Sequence, residues 1–172
     1  MIFFKRRGGA GIKKLVQKTA EFVIAEFEYN GISTSVAKAA QAAVGKGSNN
    51  TSKNSNFYSN GSDVEGIVAY TFDFSEIPQD AQNISVSCAV KGGRENASKG
   101  KIEVTAYVIV SSWASQRGST ISYTATSSSV KTIDVGTVTR AELDTLYLQV
   151  AVAYYGGHID GATMTVTYEV YE

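Results

Sequence analysis

The strongest pattern in the chain is alternation. Val68, Tyr70, Phe72 and Phe74 alternate with smaller or polar residues, as do Ile84, Val86, Cys88 and Val90. Ile102, Val104, Ala106, Val108 and Val110 form a third run; Ile121, Tyr123 and Ala125 a weaker fourth; Ile133 and Val135 a fifth. Leu146, Leu148, Val150, Val152 and Tyr154 follow, and Met164, Val166, Tyr168 and Val170 end the series. A period of two puts one face of each segment against a core and the other against water or a neighbour. Repeated at this spacing, it predicts an antiparallel β-sandwich over 63–172. Pro78 falls between the first two strands, where no ladder donor is needed. Turns are predicted at Lys91–Gly100, Ser111–Ser119 and Gly156–Gly161. Thr139-Arg-Ala-Glu142 is a capping-box pattern before Leu143 and predicts one short helix among the strands.

Upstream the pattern changes. Ile12, Leu15, Val16, Ala20, Phe22, Val23 and Phe27 recur at helical spacing, with Lys13, Lys14, Lys18 and Glu21 between them. Asn30-Gly31 breaks this run, and Ser35 is placed to cap an Ala-rich helix that Gly45 stops. Residues 1–47 therefore read as a helical or extended arm with one or two short helices. The Ser/Asn/Gly-rich stretch 48–62 reads as a polar linker, because its composition offers little to a core.

Charge sharpens this division. The 16 basic and 16 acidic residues cancel overall. Residues 1–20, however, hold Lys5, Arg6, Arg7, Lys13, Lys14 and Lys18 and no acid. The arm is +6 and the remainder −6, which predicts an acidic partner for the arm. Apolar residues at 43% are enough to build a core. A single cysteine, Cys88, rules out an intrachain disulfide; its strand phase makes it a buried core residue. The opening Met-Ile-Phe-Phe-Lys-Arg-Arg has its charge after its apolar residues, the reverse of a secretory leader. The sequons at Asn50, Asn60, Asn83 and Asn96 are accordingly read as unused. No apolar run has the length of a membrane span, so no membrane partner is expected.

Candidate chemistry is sparse. His158 is the only histidine and, within Gly156-Gly-His-Ile-Asp-Gly161, reads as an exposed hairpin residue. A metal site or an acid–base role would need partners the sequence does not place beside it. Neither a metal nor another cofactor is expected. Trp113 and Arg117 share a polar loop and form a candidate ligand edge together with His158; a ring there can stack on a sugar, or belong to a subunit interface. For an enzyme, Glu103, Asp134, Glu142 and Asp144 are the available carboxylates, but no spacing singles out a pair. A non-enzymatic protein is the expectation.

Three blocks carry a resemblance. Tyr70-Thr-Phe-Asp-Phe-Ser-Glu-Ile-Pro-Gln-Asp-Ala-Gln-Asn-Ile-Ser-Val86 is a strand, an Ile-Pro-x-x-Ala turn and a second strand. Val135-Gly-Thr-Val-Thr-Arg-Ala-Glu-Leu-Asp-Thr-Leu146 is a short helix entering a strand. Gly161-Ala-Thr-Met-Thr-Val-Thr-Tyr-Glu-Val170 lies near the C-terminus. Together they resemble modules of tailed-bacteriophage virion structural proteins, in which jelly-roll or galactose-binding-like sandwiches occur on head fibres, capsid decorations and baseplates. The resemblance covers none of residues 1–60 and brings no catalytic residues. It implies a mainly β, jelly-roll-like sandwich behind an N-terminal arm. It also implies a head fibre or decoration, assembled in the host cytoplasm and carried on the virion. Capsid, portal or tail components would be its partners, with a homo-oligomer, a trimer by analogy with fibres, as its state. A baseplate or tail module, or an adhesion module for a host-surface glycan, is the alternative.

Overall fold

The computed structural model describes residues 13–30, 34–54, 57, 66–95, 101–153 and 156–172. Eight strands and two short helices occupy these residues. The strands are β1 (Leu15–Asn30), β2 (Gly66–Phe72), β3 (Gln82–Arg94), β4 (Lys101–Val110), β5 (Trp113–Ser122), β6 (Ser129–Val138), β7 (Tyr147–Ala153) and β8 (Gly157–Tyr171). Helix α1 (Thr34–Gln41) follows β1, and α2 (Arg140–Leu143) precedes β7. All pairings are antiparallel, and the order is β5-β4-β7-β2-β1-β8-β3-β6.

Six of the alternating runs become β2, β3, β4, β6, β7 and β8, with their apolar phase facing inward, whereas of the run Ile121, Tyr123 and Ala125 only Ile121 falls within a strand, at the end of β5. Val68, Tyr70, Cys88, Val90, Val104, Val108, Ile133, Leu148, Val150, Met164 and Val166 are all buried in one core. The sheet curls until its two edge strands approach each other. Lys131 of β6 donates its ammonium to the Ser122 carbonyl of β5, and Gly118 of β5 lies against the Asp134 carbonyl of β6. The barrel is nearly closed, with its interior filled by side chains.

Four pairings nest within one another: β1 with β8, β2 with β7, β3 with β6, and β4 with β5. β1 joins the two halves. Its residues up to Val23 pair with β8, from Leu15↔Tyr171 to Val23↔Thr163. From Ile24 onward it pairs with β2, through to Asn30↔Ile67. The handover coincides with a bulge. Ile24 opposes Phe72 and Glu26 opposes Thr71, so Ala25 is an extra residue and the inward phase shifts by one. Phe22 and Ile24 are buried before it, while Phe27 and Tyr29 turn inward after it.

The helical expectation for Ile12–Phe27 is thus corrected from Leu15 onward: the segment is a strand. The bulge explains the misreading, because a one-residue phase slip in a period of two imitates helical spacing. The Ala-rich helix does form, and Gly45 follows it at φ +73°. Its Val36, Ala39 and Ala40, with Ala43 just beyond, are buried, and small residues let the helix approach the sheet closely. The Tyr70 hydroxyl donates to the Ala40 carbonyl at 3.1 Å and fixes that contact.

The described part of the 48–62 stretch lies on the sheet. The Ala162 amide donates to the Lys46 carbonyl, and the Ser48 amide to the Thr163 hydroxyl at 2.9 Å. Phe57, fully buried, bridges to Gly157. Short polar side chains suit this role, because they satisfy the outer backbone of β8 instead of filling a core. At the opposite end, α2 has the capping box read from sequence: Thr139 accepts from the Glu142 amide, and Glu142 accepts from the Thr139 amide. Arg140 donates to the Ile77 carbonyl and ties α2 to the turn that carries buried Phe74 and Ile77.

The seam makes Gly118 a sensitive position. Its φ is +67°, and a Cβ there would collide with the Asp134 carbonyl. Gly118→Ala is expected to lower stability by about 2–4 kcal/mol in urea titration. Cys88, whose thiol is pushed far above the usual range by burial, is expected to react with an aromatic disulfide reagent only as the protein unfolds.

Candidate functional site

The residues singled out from the sequence fall into separate places. Lys5, Arg6 and Arg7 lie outside the described residues. Lys13 and Lys14 are exposed, and the Lys14 backbone exchanges two hydrogen bonds with Glu172, each of 2.9 Å. Lys18 forms an ion pair with the Glu172 carboxylate, which raises its pKa. Part of the basic character of the arm is therefore answered by the end of the chain itself.

Trp113 and Arg117 are on β5, not in a loop, which corrects the turn expected at Ser111–Ser119. That turn contracts to Ser111 and Ser112, with φ of 50° and 70°, the left-handed pair that suits a tight hairpin. Trp113 stands at its tip with 80% of its surface exposed. Arg117 lies on the same face of β5 but reaches α2, where it pairs with Glu142. The Glu142 carboxyl is held below its ordinary range, first by the Thr139 amide. The pair fastens β5 to α2, and the aromatic ring beyond it is left exposed.

His158 is the clearest departure from the sequence reading. It is fully buried on β8, not exposed in a loop. Lys91 opposes Gly161 and Gly92 opposes Ile159, so Asp160 is a bulged residue. Its carboxylate is the centre of a sealed network. One oxygen accepts from the Asn54 amide at 2.8 Å and lies 2.8 Å from His158 Nδ1; the other accepts from the Ser128 hydroxyl. Asn54 donates its side-chain amide to the Ile159 carbonyl at 2.9 Å. The glycines that suggested a loop serve packing here: a Cβ on Gly161 would sit 2.7 Å from the Lys46 carbonyl oxygen, and one on Gly93 would sit 2.8 Å from His158 Nε2.

The order of this network matters chemically. Serine bonds to aspartate and aspartate to histidine, so no hydroxyl lies against the imidazole for it to activate. Nε2 is buried and has no hydrogen-bond partner among the described residues. The arrangement clamps segment 46–54, β8 and the start of β6 together. No group of three or more metal-ligating side chains is found among the described residues. Registers place His158 and Trp113 at opposite ends of the sheet. β4 begins opposite the end of β7, near β8's start, and finishes at the Trp113 hairpin. The three candidate ligand residues do not form one edge.

An open surface lies elsewhere. Where β2 leaves β1, a groove of about 440 Å³ is lined by Glu21, Val23, Ala25, Val44, Asp73 and Glu76, among others. A second hollow of about 260 Å³ shares Ala25 and Val44 and adds Glu26 and Phe27, so the groove continues along β1. Val23 is 42% exposed on its floor. The Asp73 carboxyl accepts from the Ser75 amide, which lowers its pKa and keeps it ionised. The groove is not legible in the sequence, where the spacing of residues 12–27 predicts a helix that carries Glu21 apart from the sheet.

No protein-family model matches the chain, and no curated protein matches it.

Asp160→Ala is expected to cost about 3–5 kcal/mol in chemical denaturation, since it leaves the buried Asn54 amide and His158 Nδ1 without their partner and removes that of the partly buried Ser128 hydroxyl. Trp113→Ala, at an exposed tip, is expected to change stability by less than about 0.5 kcal/mol in the same assay.

Proposed function

We propose that the protein is a non-enzymatic structural component of a tailed-phage virion, a head fibre or capsid decoration built on a jelly-roll-like sandwich. The observation that carries this reading is the nested pairing of the first strand with the last, the second with the seventh, the third with the sixth and the fourth with the fifth. That wrapping suits a jelly roll, an architecture recurrent in capsid and lectin domains. With β1 bridging the halves, the same wrapping also accounts for the near-closed barrel. The three blocks that resemble phage structural modules fall on β2–β3, on β6–α2 and on β8. Lys14 meets Glu172 at the end of β8 remote from the His158 network, and the basic residues Lys5, Arg6 and Arg7 precede it in sequence, an order that suits an anchor. No helix among the described residues is long and apolar enough to cross a membrane.

A second reading, a glycan-binding adhesion module, is favoured by one feature, the exposed Trp113 ring at a hairpin tip. Neither reading assigns a catalytic role to the His158–Asp160 pair, because its chemistry is turned inward.

Particles purified from a culture that produces this chain are expected to contain it at a fixed copy number by quantitative peptide mass spectrometry, and to show it on the head surface by immunogold electron microscopy. Absence from purified particles overturns the virion reading. Retention of the isolated protein on a glycan array, abolished by Trp113→Ala, supports the adhesion reading instead.

A further inference from the structure

The groove along β1 has the character of a receptor for an apolar segment followed by positive charge. Its floor presents Val23, Ala25 and Val44, and its rims carry Glu21, Glu26, Asp73 and Glu76. The chain contains one stretch of matching composition, Ile2-Phe-Phe-Lys-Arg-Arg7. We propose that the groove receives residues 2–7 of a second copy of this chain. Ile2, Phe3 and Phe4 cover the apolar floor, and Lys5, Arg6 and Arg7 meet the acidic rims.

Three observations support that occupant. The first is charge: three consecutive cations meet four carboxylates, in a chain whose basic excess is concentrated before residue 20 and whose acidic excess lies after it. The second is the strand edge. Leu15–Val23 pairs with β8 on one side, and β2 departs at Ile24↔Phe72. Among the described residues no strand pairs with the other edge of Leu15–Val23. Such an edge accepts an added strand, and Ile-Phe-Phe has the residue types that favour one.

The third observation is reach. Lys14 is held beside Glu172, and the nine residues from there to Val23 run as strand, a span of about 30 Å. To enter its own groove, the chain would have to double back over β1 and bring Phe4 across that span with ten residues. Fully extended, ten residues reach at most about 33–36 Å. Gly8, Gly9 and Gly11 fall within this stretch of sequence, and a Gly-rich coil of ten residues has a typical span of about 16–19 Å. Docking within one chain therefore needs nearly complete extension, whereas a neighbouring copy needs none.

The proposal concerns copies of this chain only. Finding the protein absent from virions leaves it standing, and finding the protein monomeric leaves the virion reading standing.

Charge reversal and its complementation form the test, using full-length chains in sedimentation velocity at low ionic strength. The wild type is expected to associate. The arm variant K5E/R6E/R7E and the groove variant E21K/E76K are each expected to associate at least about tenfold more weakly. An equimolar mixture of the two is expected to regain association, because the unaltered basic arm of the groove variant meets the unaltered groove of the arm variant, and the reversed arm meets the reversed groove. Circular dichroism verifies that both variants keep the β fold. A wild type that remains monomeric to about 100 μM overturns the proposal. So does a folded variant that associates like the wild type, or a mixture that fails to reassociate.

Discussion

The pairing of the first strand with the last is the constraint on which the rest of the molecule depends. Nine consecutive residues of β1, from Leu15 to Val23, sit opposite Tyr171 to Thr163. Through this ladder β1 belongs to the half formed with β8, β3 and β6. The same strand then crosses to β2 and enters the half formed with β7, β4 and β5. Without β1 the two halves share no strand, and the core between them would be held by side chains, the β5–β6 seam and connections such as the Tyr123 hydroxyl on the Val90 carbonyl. Contacts of such long sequence separation are gained only after a large loss of chain entropy, so the ladder must form late or be strongly favoured once begun.

The bulge at Ala25 is what lets one strand serve both halves. An extra residue bends the strand, reverses which face points inward and ends pairing on one side as it begins on the other. It also creates the groove, because β2 diverges from β1 at this point and leaves Val23 exposed beside the turn that carries Asp73 and Glu76. The structural device that closes the fold thus produces its most distinctive open surface. Along β8 the outer face is covered instead. Segment 46–54 lies along β8 and supplies donors from Ser48 and Asn54 to backbone and side-chain acceptors there. Asp160 gathers that cover, β8 and the start of β6 into one buried network.

Where the pattern of residues was regular, the sequence was legible. β2, β3, β4, β7 and β8 were visible as alternation, α2 as its capping box, and Cys88 as a core residue from its phase. Legibility failed most at two of the bulges. At Ala25 the phase slip made Val16, Ala20, Phe22, Val23 and Phe27 imitate a helix. At Asp160, glycines that admit neighbouring backbone imitated a turn, and the only histidine was assigned to solvent. Both failures share one cause: a bulge changes the face a residue presents without changing the residue types around it. The polar stretch after α1 was misleading for a related reason. Its composition is poor for a core but well suited to satisfying the outer edge of a strand, and only the tertiary arrangement distinguishes these uses.

The central claim is that Leu15–Asn30 is one bulged strand shared by both halves. Nuclear Overhauser contacts along this segment test it most directly. Cross-strand contacts are expected from β1 to β8 through Val23, such as Thr19 with Thr167. Contacts from β1 to β2 are expected beyond Ala25, such as Phe27 with Tyr70, with the change of partner at the bulge. A continuous series of sequential amide–amide contacts from Leu15 through Phe27, with none to Thr167 or Tyr70, would mark a helix apart from the sheet and contradict it.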